Sequence, residues 1–224
     1  MTELFAEGTV VIVDDDEGIR DSLANLMNAA GFSVRCHASG ECMLERKPPA
    51  GPACILLDLR MPGASGIEVQ RQLGARGYDI PVIFLTGHAE VHAAVDALKA
   101  GATDFIVKSE LSPAELLAQV RSCLNRHADI LEGRRKTSDL RERLQQLTRR
   151  ELDVAVLAAG GMTNQLIGME LGISERTVEV HRGRAMKKLD LRVAAGLARL
   201  QDDLLKYSQN IDANHDATAR GMVE

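Results

Sequence analysis

The side chains best placed to do chemistry are acids at strand ends: Asp14 and Asp15 directly follow the β-branched run TVVIV, and Asp58 stands near the end of CILLDL. Two further runs end on Thr86 (PVIFLT) and Lys108 (DFIVK). Clustered carboxylates repel and raise one another's pKa unless a cation compensates. Several acidic oxygens with room for water suit Mg²⁺. Acids, a divalent cation, a hydroxyl and an ammonium are the set needed to transfer a phosphoryl group onto a carboxylate. Asp58 would attack in line, Mg²⁺ and Lys108 would neutralise the developing charge, and Thr86 would hydrogen-bond the attached group. An Asp pair after a strand is often only a helix cap, and a strand-end Lys or Thr is often plain surface. Joint placement at the ends of neighbouring strands gives the set its meaning.

The elements that must place these residues follow from periodicity. Five short runs (9–13, 32–36, 54–59, 81–86 and 104–108) read as strands, and several are almost purely apolar, as parallel strands covered on both faces must be. Between them lie helical stripes: Ile19, Leu23, Leu26 and Ala30, then Val91, Val95 and Leu98, then Leu116, Val120 and Leu124. The last begins with a capping box at Ser112–Glu115, with Pro113 in its first turn. Repeated βα units predict an α/β fold, a doubly wound five-stranded parallel sheet whose working crevice lies at the carboxyl ends of its strands.

Composition separates the chain into halves. Residues 1–125 hold 10 Lys and Arg against 17 Asp and Glu, a net of −7, whereas residues 134–192 hold 13 against 8, a net of +5. The basic part is the one suited to phosphates. An apolar content of 45% describes a core-forming protein. The start MTELFAEG has neither a basic nor an apolar leader pattern, and no long apolar run exists, so a cytoplasmic protein with no membrane partner is expected. Cys36, Cys42, Cys54 and Cys123 lack metal-ligand spacing and are expected to be reduced thiols. His88 and His92 are four apart but have no acidic or thiol partner at suitable spacing.

From Thr148 the pattern is purely helical. Thr148–Glu151 is another capping box, and TNQLIGMELG, a Gly-Ile-Ser turn and ERTVEVHRGRAMKKL form a helix-turn-helix, followed by VAAGLARLQDDLL. At about 100° per residue, Val178, His181, Ala185 and Leu189 face inward, while Arg176, Glu179, Val180, Gly183, Arg184 and Lys187 face outward, suited to the major groove of double-stranded DNA. Arg176, Arg184, Lys187 and Lys188 are assigned to phosphates, and Glu179, Val180 and Gly183 to bases. The expected division is a small α/β domain at 1–126, a helical linker at 127–147 with Leu140, Leu144 and Leu147 in a narrow stripe, a helix-turn-helix domain at 148–206, and a disordered tail at 207–224.

Four segments, VDDDEGIRDSL, LLDLRMPGASG, FLTGHAEV and DFIVK, resemble in order and spacing the signatures of bacterial receiver domains, with the flavodoxin-like fold. Residues 147–200 resemble the LuxR-type DNA-binding domain, and the whole is similar to the FixJ/NarL-like two-component response regulators. The resemblance implies that Asp58 accepts phosphate from a sensor histidine kinase and that Asp15, Asp58 and the Arg60 carbonyl bind Mg²⁺, with Asp14 assisting through water. It implies a switch in which Thr86 moves inward and Phe105 follows, making the face near the helix of Val91, Val95 and Leu98 and the fifth strand a dimerisation surface. It also implies Thr163 or Asn164 near a DNA phosphate, a last helix that pairs in a homodimer, and RNA polymerase as a partner. Two departures stand out: Ser109 where the family has Pro after the lysine, and Gly168 where it usually has Ala. Ser109 favours one rival, a phosphorylation-independent regulator whose receiver only dimerises. A phosphatase-like enzyme is disfavoured because its signature needs a second Asp where Arg60 stands.

Overall fold

The computed structural model describes residues 8–87, 104–108 and 112–220. His88, His92, the stripe of Val91, Val95 and Leu98, and Ser109 lie outside the described residues. The chain divides into two compact units, Met1–Arg134 and Arg135–Glu224.

In the first unit, β1 (Thr9–Val13), β2 (Ser33–His37), β3 (Ala53–Asp58), β4 (Val82–Thr86) and β5 (Asp104–Val107) form a parallel sheet in the order β2-β1-β3-β4-β5. The helices are α1 (Glu17–Ala29), α2 (Gly40–Leu44), α3 (Gly66–Ala75) and α4 (Pro113–Gln145). Alternate strand residues supply the two faces. Val10, Ile12, Cys54, Leu56, Ile83 and Leu85 meet Leu23 and Met27 of α1 and Leu116, Val120 and Leu124 of α4. Val11, Val13, Ile55, Leu57 and Phe84 meet Met43 of α2 and Val69 and Leu73 of α3. The strand order reverses between β1 and β3, and there a doubly wound sheet opens its crevice.

The expected strands at 9–13, 32–36, 54–59, 81–86 and 104–108 agree with these to within a residue at each end. α1 and α3 start on Asp16 and Ser65, whose side chains accept from Ile19 N and Glu68 N. Further along, α4 continues through the expected linker region as one helix to Gln145.

The second unit packs around α5 (Arg149–Ala159), α6 (Asn164–Leu171), α7 (Glu175–Lys188), α8 (Ala195–Arg199) and α9 (Gln201–Arg220). Leu152, Val154, Ile167, Val178, Ala185, Leu197 and Leu204 are buried at its centre. Two expectations are corrected here. Leu144 is buried in this core and Leu140 and Leu147 pack against it, so the stripe expected in a linker belongs to the helical unit. The tail expected to be disordered is helical as far as Arg220, because Tyr207 and Ile211 extend the apolar spacing of Leu200 and Leu204 and pack on the same core.

Candidate functional site

Register brings the acids together. Val13 pairs with Leu57 across the β1–β3 switch point, so the residues that follow, Asp14 and Asp58, stand side by side at the strand ends. One oxygen from each of Asp14, Asp15 and Asp58 lies within 4.8 Å of the others. Asp14 and Asp58 are buried and Asp15 is exposed. Lys108, just past β5, reaches Asp14 Oδ2 at 2.6 Å and Asp58 Oδ1 at 3.0 Å. Thr86 ends β4, buried, beside Val107 in register. Phe105 pairs with Phe84 in register and packs half-buried against the same apolar layer.

The electrostatics follow from this crowding. Burial pushes the Asp58 carboxyl above its ordinary pKa; Lys108 pulls it back, and Asp14 and Asp15 push it further up. Burial works against the Lys108 ammonium, but Asp14 and Asp58 outweigh it and hold its pKa above the usual value. Asp14 Oδ1 accepts the Asp16 N–H at 3.0 Å, and its Oδ2 holds Lys108. One ammonium against three carboxylates leaves a deficit that a divalent oxygen-seeking cation fits, and Asp14, Asp15 and Asp58 each offer it an oxygen.

Two supports shape the loops. Arg20 Nη1 donates to the carbonyls of Asp14 and Asp15 at 2.8 and 2.9 Å, clasping the turn after β1; the sequence reading missed this, and its only signal is an arginine in the first turns of α1. Gly66 N donates to Leu59 O at 3.1 Å, and a Cβ on Gly66 would lie 2.4 Å from the Asp58 carbonyl oxygen. Only glycine lets the start of α3 come so close to β3. Arg60 follows Leu59 in this loop with its side chain exposed.

In the helical unit, Thr163 caps α6 by accepting from Leu166 N, and Asn164 Oδ1 accepts from Arg182 Nη1 of α7 at 2.9 Å. Ser174 caps α7. Val178, Ala185 and Leu189 are buried as expected; His181 is half-buried, with Nδ1 enclosed and lacking a partner among the described residues. Arg176, Glu179, Val180, Gly183, Arg184 and Lys187 are all exposed. Lys188 departs from this set. Its ammonium is 2.5 Å from Glu151 Oε2 and donates to Gln146 O at 3.0 Å, so it is turned into its own unit and is no longer a candidate for a phosphate contact. Gly168 has a steric reason: a Cβ there would lie 2.8 Å from the Ile173 carbonyl oxygen in the helix-turn-helix turn.

Comparison with known proteins matches this two-part geometry. Residues 10–121 match the response regulator receiver domain, and residues 145–200 match the bacterial regulatory proteins of the luxR family. The chain is a two-component response regulator of the FixJ type. It is 39% identical over 193 residues to the transcriptional regulatory protein FixJ of Azorhizobium caulinodans, covering 85% of this chain and 90% of that one. It is 36% identical to the response regulator protein TodT of Pseudomonas putida, covering 87% and 86%. Among solved structures it is similar to the response regulator StyR, with a TM-score of 0.82 and 39% identity over 88% of this chain and 100% of that one. The family is one of transcription regulators built from receiver and DNA-binding domains, not a family of enzymes. No described helix of this response regulator is long and apolar enough to cross a membrane.

Proposed function

We propose that this response regulator is switched by phosphorylation of Asp58 by a sensor histidine kinase and, once phosphorylated, acts on promoters as a dimer bound to double-stranded DNA, in the cytoplasm, working with RNA polymerase. The observation carrying the proposal is the convergence of Asp14, Asp15 and Asp58 on Lys108 at the switch point. Asp58 supplies the attacking carboxylate oxygen, and Lys108 neutralises charge on the incoming phosphoryl oxygens. Asp15, Asp58 and the Arg60 carbonyl would hold Mg²⁺, with Asp14 assisting through water; bound there, the ion offsets charge on the phosphoryl oxygens. Thr86, at the end of β4, is the hydroxyl that binds the attached group, and Phe105 is the ring that follows it.

On the DNA side, Arg176, Arg184 and Lys187 contact phosphates, with Thr163 or Asn164 at the start of α6. Glu179, Val180 and Gly183 face base edges. The domains proposed are a receiver over 1–126 and a LuxR-type domain over 148–206. Incubating the protein with acetyl phosphate and separating it on a phosphate-affinity gel tests the reading. A retarded band that needs Mg²⁺ and is lost in Asp58→Asn is expected; an equal band from Asp58→Asn would overturn it.

A further inference from the structure

Away from the phosphoacceptor, β2, α2 and α3 enclose a cavity of about 460 Å³ that none of the roles above uses. Small-molecule sites are concave, mostly apolar hollows of roughly 300–1,000 Å³ with a few placed polar groups. Here the floor is apolar, formed by Val11, Ile55 and Leu73, all buried, with the Tyr78 ring at the side. The rim carries Arg35, Arg46, Lys47 and Arg76, and among the described residues no Asp or Glu lines it.

Such a gathering runs against the composition around it. Residues 1–125 are acidic, with 17 acids to 10 cations, yet four of those cations meet at one hollow. Among the described residues none of the four is in an ion pair. Arg35 donates to the Lys47 carbonyl and Arg76 to the Leu44 carbonyl, bonds that steady the rim and leave the remaining guanidinium N–H groups available. A planar guanidinium matches a carboxylate or phosphate in a bidentate fork. His37, half-buried on the same wall, senses the local potential: burial first, then Arg46 and Arg35, hold its imidazole below the ordinary pKa. Cys42 Sγ, 3.6 Å from His37 Nδ1, is the other polar group against that ring.

We infer that this hollow is a binding site for a small organic anion with an apolar body, a carboxylate or phosphate carried on an aromatic or acyl group. The apolar body sits on Ile55 and Leu73, and the anionic head is held by the guanidinium groups of the rim. The site shares no side chain with the acid cluster, so it stands or falls apart from the phosphorylation reading.

Isothermal titration of the full chain with 1-naphthoate and 1-naphthyl phosphate tests it, with neutral 1-naphthamide and inorganic phosphate as controls. At least one naphthyl anion should bind tenfold or more tighter than either control. Binding should fall at least tenfold in the double variant Arg35→Gln, Arg46→Gln, whose exposed side chains leave the fold intact by circular dichroism. The His37 imidazole resonance should titrate at a higher pH in the complex, because the anion cancels the cationic field. Absence of binding overturns the inference, as does affinity no better than that of the amide, or binding untouched by the double variant. Equal affinity for inorganic phosphate removes the apolar floor from recognition and overturns it as well.

Discussion

Glu151 and Lys188 are bound to each other inside the helical unit, at 2.5 Å, with the carboxylate only 4% exposed and also accepting the Thr148 N–H. One acid thus completes the capping box that starts α5 and holds down the last turn of α7. Burial works against the carboxylate, but Lys188 and the Thr148 backbone outweigh it and hold its pKa below the ordinary range. A depressed carboxylate pKa contributes stability that is present above the unfolded value and lost as pH falls through the folded one. The helical unit should therefore weaken on acidification below the usual glutamate range. Lys188→Ala leaves a buried acid short of a partner and should cost about 1–3 kcal/mol. Urea unfolding at neutral and acidic pH checks both: the Lys188→Ala deficit should shrink as the medium becomes acidic, and parallel curves would exclude the pair as the cause.

Asp58 makes the opposite prediction. Its folded pKa is raised, so the ionised form costs the receiver stability, a cost that sets in as pH rises above the unfolded value and is complete once pH exceeds the folded one. Asp58→Asn should raise the receiver's melting temperature in a metal-free buffer, since the amide keeps an oxygen for Lys108 and removes a buried charge. Added Mg²⁺ should stabilise the wild type more than the variant, because a ligand that binds only the folded state adds stability by mass action. A lower melting temperature for Asp58→Asn without metal would show that its ion pair with Lys108 outweighs its burial.

Gly66 holds the loop after the acceptor against the sheet. An added Cβ would be 2.4 Å from the Asp58 carbonyl oxygen and 2.9 Å from Phe84 Cε1, neither of which can swing aside cheaply. Gly66→Ala should destabilise the receiver by about 1–3 kcal/mol, as overpacking does, and should slow acetyl phosphate labelling by displacing Asp58. Normal stability with normal labelling would show that α3 shifts without strain.

How much the sequence could say depended on whether a pattern was local. The strands were readable because short, mostly apolar runs bounded by turns mark covered parallel strands, whereas the full order β2-β1-β3-β4-β5 depends on which strands meet in space. The inward face of α7 was readable from helical geometry, and Val178, Ala185 and Leu189 are buried accordingly. Lys188 was misread because a basic residue at a helix end looks the same whether it meets solvent or a buried acid 37 positions earlier in the chain. Tyr207 and Ile211 were passed over because two apolar residues in a polar stretch show no period until Leu200 and Leu204 are counted with them. Arg20 was invisible because what it holds is backbone carbonyl, which no side-chain motif records.

Arg184 and Val180 are both exposed on α7 but should fail differently. Phosphate contacts are salt-dependent and blind to sequence, whereas base contacts are not. Arg184→Ala should weaken binding to all DNA and flatten the salt slope by about one unit, while Val180→Ala should change the preferred site. Fluorescence anisotropy at several salt concentrations, on specific and scrambled duplexes, separates the two.

Gly183 gives the sharpest test of the DNA-facing surface, because stability and function should move in opposite directions. It lies within the fourteen-residue helix α7, where glycine costs about 1 kcal/mol relative to alanine. Among the described residues a Cβ at this position would meet nothing within 4 Å outside its own helix backbone, so packing there gives no reason for the residue to be small. If the outer face of α7 enters a major groove, the missing Cβ lets the helix backbone approach base edges closely. Gly183→Ala should then raise the unfolding free energy of the helical unit by about 0.5–1 kcal/mol while weakening specific DNA binding, with non-specific binding at low salt changed less. Thermal unfolding and anisotropy on the same preparation measure both quantities. A variant that is more stable and binds its specific site as tightly as the wild type would show that this part of α7 does not meet the bases.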